Sequence, residues 1–238
     1  DSSTSRGLGD VYKRQLISNT SIAQSISTDN KYIFKRGDFN GIGKWYMGRE
    51  IAYVMGYEGI GWLERSEREK EENVSNLIQN MNIKSHDTIA DIGAGSGYHA
   101  FRMASLAKQG LVYAVDIQRE MLMAIEKTKE SNKIRNIETI LGSDKSIYLP
   151  KDSVDKILMV DVYHEFNFPK EMIASIKNAL KPNGQLFLIE YRGEDSKVPI
   201  KKIHKMTEKQ AVKELEAAGF RLKAVSYTHL TLPTKRIV

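Results

Sequence analysis

From residue 88 onward, apolar positions follow two alternating periods along the chain. Apolar runs at Thr88–Ile92, Leu111–Asp116, Ile137–Leu141, Lys156–Val160 and Gln185–Glu190 predict strands buried on both faces. Between them, helical spacing predicts helices over Gly97–Ala107, Arg119–Ser131 and Pro169–Leu180, each followed by a glycine, asparagine or proline stop. A further helix starts at Thr207, where Thr207 and Gln210 form a capping-box pattern, and ends before Gly219. A last strand begins near Phe220. Upstream, Val74, Leu77, Ile78 and Met81 share one helical face, which predicts a helix over Glu67–Asn82. This alternation predicts an α/β fold: a doubly wound, mainly parallel sheet with right-handed crossovers. Ligands of such sheets sit at the carboxyl ends of the strands, where strand order switches.

The N-terminal part has no such rhythm. Leu16–Asn30 is polar and reads as a lead-in. Lys31–Arg65 is rich in aromatic residues, charges and glycines, and is expected to form a helical cap. Within it, Trp62 and Tyr46 would give a lid apolar cover. Arg49 and Arg65 would either meet an acidic substrate or form ordinary salt bridges.

The two ends read differently from the rest. Ser5–Gln15 and Val225–Thr234 resemble translations of a matched pair of sequencing adapters. On that reading, residues 1–15 and 225–238 are non-native tails of a fragment. Residues 16–66 are then the lead-in and cap, and residues 67–224 the main domain. The sheet would lose its C-terminal strands and expose an edge, an aggregation hazard.

Setting the tails aside removes five basic and two acidic residues, so the net charge falls from +6 to +3. Bulk charge therefore gives no case for a nucleic-acid partner. No stretch approaches the ~20 apolar residues that span a bilayer, and the expected location is the cytoplasm. The absence of cysteine excludes disulfides, a thiol nucleophile and thiolate metal sites.

The chemistry concentrates in Asp91-Ile92-Gly93-Ala94-Gly95-Ser96-Gly97, a strand end followed by a glycine-rich turn and a helix start. Glycines let backbone approach a ligand closely. Amides at a helix start favour a negative group. Dinucleotides and S-adenosylmethionine are both held this way. Counted from Gly93, the sixth position of the dinucleotide fingerprint is Tyr98, too large for the packing required there; counted from Gly95, Ala100 satisfies it.

With Asp91 two residues before Gly93, the segment resembles the first motif of the class I S-adenosylmethionine-dependent methyltransferases, an acid followed by G-x-G-x-G. The resemblance runs from about Glu67 to Ala224. It includes Asp116 at the end of the second strand, Gly142-Ser143-Asp144 after the third, and Leu180-Lys181-Pro182-Asn183-Gly184 leading into the fifth. It implies a Rossmann-like methyltransferase fold with S-adenosylmethionine as cofactor. It further implies that Asp91, Gly93, Ala94, Gly95, Ser96 and Gly97 hold the methionine end, Asp116 the ribose, and Ile117 and Asp144 the adenine, with Asp161 also beside the cofactor.

On the acceptor side, Asp161-Val162-Tyr163-His164-Glu165-Phe166 follows the fourth strand. Some small-molecule O-methyltransferases place a histidine base followed by an acid at a similar point. The resemblance thus offers His164 as base, with Glu165 orienting it, for a small-molecule acceptor such as a hydroxyl. A packing role for His164 is the alternative. The segment is not the N-P-P-Y type of the nucleic-acid amino-methylating enzymes, and without cysteine the chain does not resemble the arsenite methyltransferases. His86, His99 and His204 show no metal-ligand spacing, so no metal is expected. An NAD-dependent oxidoreductase and a non-catalytic S-adenosylmethionine-binding module remain as other readings.

Overall fold

The computed structural model describes residues 32–227 and 234–237. The N-terminal tail and the lead-in Leu16–Asn30 lie outside them. The chain opens with β1 (Tyr32–Phe34), β2 (Gly41–Tyr46) and β3 (Arg49–Ala52), a three-stranded antiparallel sheet in the order β1-β2-β3. The expected helical cap is therefore largely β-structure. A two-residue turn makes the hairpin: Tyr46 pairs with Arg49, and Met47 and Gly48 both have positive φ. That conformation matches the twist of the flanking strands. Met47 rather than asparagine at its first position hides the turn from a sequence reading. The sheet docks on the later chain through Lys44, whose ammonium donates to the Asn167 carbonyl at 2.5 Å and sits 3.3 Å from the Phe168 ring centre.

Three short helices follow, α1 (Ile60–Leu63), α2 (Arg68–Glu72) and α3 (Val74–Asn80). The single helix expected over residues 67–82 is broken at Asn73, which adopts φ +51°. Asparagine tolerates that left-handed geometry better than most residues. The Glu69 carboxylate then accepts the Ser75 amide at 3.0 Å and secures the break.

The main sheet contains β4 (Thr88–Ile92), β5 (Leu111–Asp116), β6 (Ile137–Leu141), β7 (Val154–Val160) and β8 (Leu180–Tyr191), all parallel. It is interleaved with α4 (Tyr98–Leu106), α5 (Arg119–Asn132), α6 (Pro169–Ala179) and, after β8, α7 (Glu208–Ala217). The α7 cap forms as the capping pattern predicts, with the Thr207 hydroxyl accepting the Gln210 amide at 3.2 Å. Successive residues of each strand enter opposite cores. Ala90, Ile92, Ile157 and Met159 face α6 and α7, whereas Ile89, Val112, Ala114 and Leu158 face α3, α4 and α5. This two-sided burial is why the strands read as continuous apolar runs.

The sheet order is β6-β5-β4-β7-β8-β10-β9, with β9 (Val225–Tyr227) and β10 (Thr234–Ile237) completing seven strands. The first five of these are the parallel strands; β9 and β10 lie in the segment that the sequence reading set aside as a tail. β10 pairs antiparallel with β8, Thr234 opposite Tyr191 and Ile237 opposite Leu188. The chain leaves β4 toward β5 and β6, then returns to the other side of β4 as β7. The resulting crevice lies at the carboxyl ends of β4 and β7, where the functional residues gather.

Candidate functional site

The glycine turn stands in this crevice. Gly93, Gly95 and Gly97 all have positive φ. A Cβ on Gly93 would come within 2.5 Å of the Val162 side chain, and one on Gly95 within 2.6 Å of Leu63. The turn is therefore glycine-rich because β7's exit loop and the cap press on it from both sides. Its amides are used differently from the sequence expectation. Gly93 and Ala94 both donate to the Val115 carbonyl, at 2.8 and 3.0 Å, and Gly95 donates to Asp116 Oδ2 at 2.9 Å. These amides fasten the turn to β5 rather than facing a ligand. The Ser96 hydroxyl donates to Glu64 of the cap.

Asp91 lies beneath the turn, 2% exposed, accepting the Ala100 amide in the first turn of α4. Its Oδ2 is buried without a hydrogen-bond partner. Burial raises its carboxyl to about 7; Arg68 draws it down and Asp116 pushes it up. Because the folded value exceeds the unfolded one, the folded chain holds an extra proton between about pH 4 and 7, and stability from this group falls as pH rises through that window. Asp91→Asn is thus expected to gain melting temperature relative to the native chain as pH goes from 5 to 8. Calorimetry at several pH values checks this, and a gap independent of pH would contradict it.

A cavity of about 370 Å³ opens from the turn. It is lined by Gly93, Gly95, Asp116 and Ile117, with Ile117 half exposed. Asp116 is 6% exposed, and burial raises its carboxyl while the Gln118 and Gly95 amides pull it down. Met55, Trp62 and Leu63 of the cap supply an apolar roof, and Arg68 brings a positive charge to the wall. Of the two aromatics expected in a lid, Trp62 lines the cavity, whereas Tyr46 packs with Tyr32 and Ile51 in the small cap core. Neither arginine waits for a substrate: Arg49 pairs with Glu214, and Arg65 with Glu71 and Glu72. Asp144 does not reach the cavity and instead accepts the Asn167 side-chain amide at 3.3 Å.

The same cavity is lined by Asp161, His164, Glu165 and His204. Asp161 has a left-handed backbone, φ +53°, and burial raises its carboxyl to about 8. His164 and Glu165 sit on a single 3-10 turn, Tyr163–Glu165. The Glu190 carboxylate on β8 accepts the amides of Tyr163 and His164 with one oxygen and pairs with His164 Nδ1 at 2.7 Å with the other. Glu190, rather than Glu165, therefore orients the imidazole. Glu165 accepts the Met55 amide at 3.1 Å and ties the cap to the turn. His164 Nε2 faces His204 Nδ1 at 3.1 Å. Burial alone would lower the His164 imidazole, but Glu190, Asp161 and Glu165 outweigh it and lift the ring to about 9.

His204 is the residue that sequence reasoning missed. The loop after β8 leaves and returns to the strand's end, where Met206 donates to the Tyr191 carbonyl at 2.9 Å and Gly193 to Met206 at 2.8 Å. That return lays the short 3-10 turn Lys202–His204 back over the cluster. Nothing in sequence spacing reports a contact across 40 residues.

A methyltransferase-domain family matches residues 83–230, well over half of the chain. The chain belongs to that family. It is 31% identical over 119 residues to the ubiquinone/menaquinone biosynthesis C-methyltransferase of Wigglesworthia glossinidia brevipalpis, an alignment covering 49% of this chain and 48% of that protein. To the malonyl-[acyl-carrier protein] O-methyltransferase of Halalkalibacterium halodurans it is 28% identical over 139 residues, 55% of this chain and 48% of that protein. The chain thus spans about half the length of these two relatives. In fold it is similar to an S-adenosylmethionine-dependent methyltransferase from Aquifex aeolicus, with a TM-score of 0.72 at 23% identity, covering 77% of this chain and 97% of that one. The fold is the Rossmann-like methyltransferase fold, and S-adenosylmethionine is the cofactor of the family. The family match favours methyl transfer over the NAD-dependent reading. No helix among the described residues is long and apolar enough to cross a membrane.

Proposed function

We propose that this chain transfers a methyl group from S-adenosylmethionine to a small-molecule acceptor that presents an oxygen. The observation that carries this reading is one cavity lined by two chemically different groups of residues together with apolar side chains of the cap. The glycine turn and Asp116 make one group, and the His164–Glu165–His204 cluster makes the other. The residues present fit the cofactor: the glycine cradle has no room for a Cβ, and Asp91 Oδ2 is a buried acceptor with no partner within the protein. When bound, S-adenosylmethionine supplies an electrophilic methyl group on a sulfonium sulfur.

Each of the chain's residues then has a part. Asp116 takes the ribose hydroxyls, and Ile117 covers the adenine. Arg68 and Asp91 complement the charges of the methionine end. Asp161 and Val162 form the wall between donor and acceptor. Trp62 and Leu63 exclude water, so that the two reactants meet in a fixed orientation, a source of large rate gains. His164, locked by Glu190, is a positioning residue that sets His204 at the acceptor's oxygen.

Titration calorimetry with S-adenosylhomocysteine tests the donor end, with NADH fluorescence as its control. The expected result is a dissociation constant on the order of micromolar, about −8 kcal/mol, for the former and no binding of the latter. NADH binding without S-adenosylhomocysteine binding would overturn the reading.

A further inference from the structure

We propose that His164, Glu165 and His204 bind a divalent transition-metal ion of the zinc type at the acceptor end of the cavity. The geometry comes first. His164 Nε2 lies 3.1 Å from His204 Nδ1 and 3.7 Å from Glu165 Oε1, and His204 Nδ1 lies 3.6 Å from the same oxygen. Ligands at about 2.1 Å around one ion stand roughly 3.0–3.4 Å apart at octahedral to tetrahedral angles. Three donor atoms on two separate loops already stand near that triangle.

The tautomer is prepared as well. Metal-ligating histidines commonly donate their second ring N–H to a carboxylate, which fixes the ring and raises its basicity. Glu190 Oε2 stands at 2.7 Å from His164 Nδ1. With the Nδ1 proton on that bond, an ion arriving at Nε2 takes that nitrogen's lone pair in place of its proton. Glu190 is in turn held by the amides of Tyr163 and His164, and Arg49 holds the turn from the other side by donating to the His164 carbonyl at 3.0 Å. The support is rigid before any ion arrives.

Charge and access agree with this geometry. Asp161 and Glu190 add carboxylates within 4 Å of His164 Nδ1, the ring nitrogen that does not face the triangle. All three ligands line the cavity, and the His204 side chain is 22% exposed to it. Three protein ligands with remaining positions open to a cavity is the arrangement of catalytic rather than structural metal sites. Two imidazoles and one carboxylate suit zinc, iron or nickel better than magnesium or calcium. An acceptor would enter through an oxygen atom filling an open position. This last consequence rests on the proposed methyl transfer; the ion site itself does not.

The test uses the full chain, stripped with a chelator, and two variants, His204→Ala and Glu165→Gln. Zn²⁺ is titrated calorimetrically and Co²⁺ by its visible absorption, with S-adenosylhomocysteine binding measured in metal-free buffer and folding followed by circular dichroism. The expected result is one ion per chain, a cobalt band from the native chain, and affinity weakened at least ~10-fold in both folded variants. Native chain that binds no more Zn²⁺ or Co²⁺ than the variants overturns the metal site. If S-adenosylhomocysteine still binds in that case, the methyl-donor reading survives the loss. Metal binding without S-adenosylhomocysteine binding supports the ion site and defeats the donor reading alone.

Discussion

Replacing Glu214 with alanine is expected to destabilise the chain by about 3–5 kcal/mol, the typical cost of leaving one buried charge without its partner. Glu214 on α7 is 1% exposed. Its carboxylate accepts Arg49 Nε at 2.7 Å and Nη2 at 3.1 Å, the Tyr163 hydroxyl at 2.7 Å and the Gln210 side-chain amide at 2.7 Å. Burial alone would lower the Arg49 guanidinium, and Glu214, Tyr163 and Glu190 together more than offset it. Without Glu214, a buried cation keeps only two carbonyls, those of His164 and Tyr163. A chain of this size shifts by roughly 2–4 °C per kcal/mol, so the melting temperature should fall by about 10 °C. Arg49→Met combined with Glu214→Leu should recover most of the loss, because it removes both charges together. Denaturant melts of the two single variants and the double one give the coupling; additive losses would show that the pair does not hold the cap to α7.

This pair also explains why the cap belongs to the site. Arg49 reaches from β3 to the turn that carries His164 and to α7, while Glu165 holds the Met55 amide. The cap is thus fastened to the acceptor end at two places and to the glycine turn through Glu64 and Ser96. In sequence, Arg49 read as either a substrate-facing charge or a member of an ordinary salt bridge, and the structure gives the salt bridge. Its buried partner lies 165 residues away, and no local pattern carries that distance.

What was legible follows from where each signal lives. Thr88–Ile92, Leu111–Asp116 and Ile137–Leu141 form strands at the residues read from the sequence, because two-sided burial writes itself into short apolar runs. β8 begins earlier than read, at Leu180, because Leu180 pairs with Val154 and a bulge between Val154 and Lys156 absorbs the Lys-Pro-Asn-Gly segment. That segment has the composition of a turn. The cap sheet was missed for a related reason: its hairpin turn uses Met47 in a position that usually announces itself as asparagine or glycine. The donor half of the site was legible because a turn, an acid and a following strand end are close in sequence. The acceptor half was only half legible: His164 and Glu165 are adjacent, but Glu190 and His204 reach them through sheet order and a returning loop.

Asp116→Ala is expected to weaken S-adenosylhomocysteine binding by about 100-fold or more. The carboxylate stands at the end of β5, next to the turn. Oδ2 accepts the Gly95 amide and Oδ1 the Gln118 amide, both at 2.9 Å, and the Gln118 side chain donates to the Met55 carbonyl at 3.0 Å. Asp116 therefore shapes the glycine turn, starts α5 and braces the cap, in addition to the ribose contact proposed for it. Charge-assisted hydrogen bonds contribute roughly 1.5–3 kcal/mol each, and losing two from ligand hydroxyls corresponds to at least ~100-fold in affinity. A fall in affinity alone would not separate ribose binding from turn shaping. An analogue lacking both ribose hydroxyls does. The native chain should bind it about 100-fold more weakly than S-adenosylhomocysteine, whereas Asp116→Ala should bind the two nearly alike. Equal discrimination by both chains would place the ribose elsewhere and leave Asp116 as the brace of the turn.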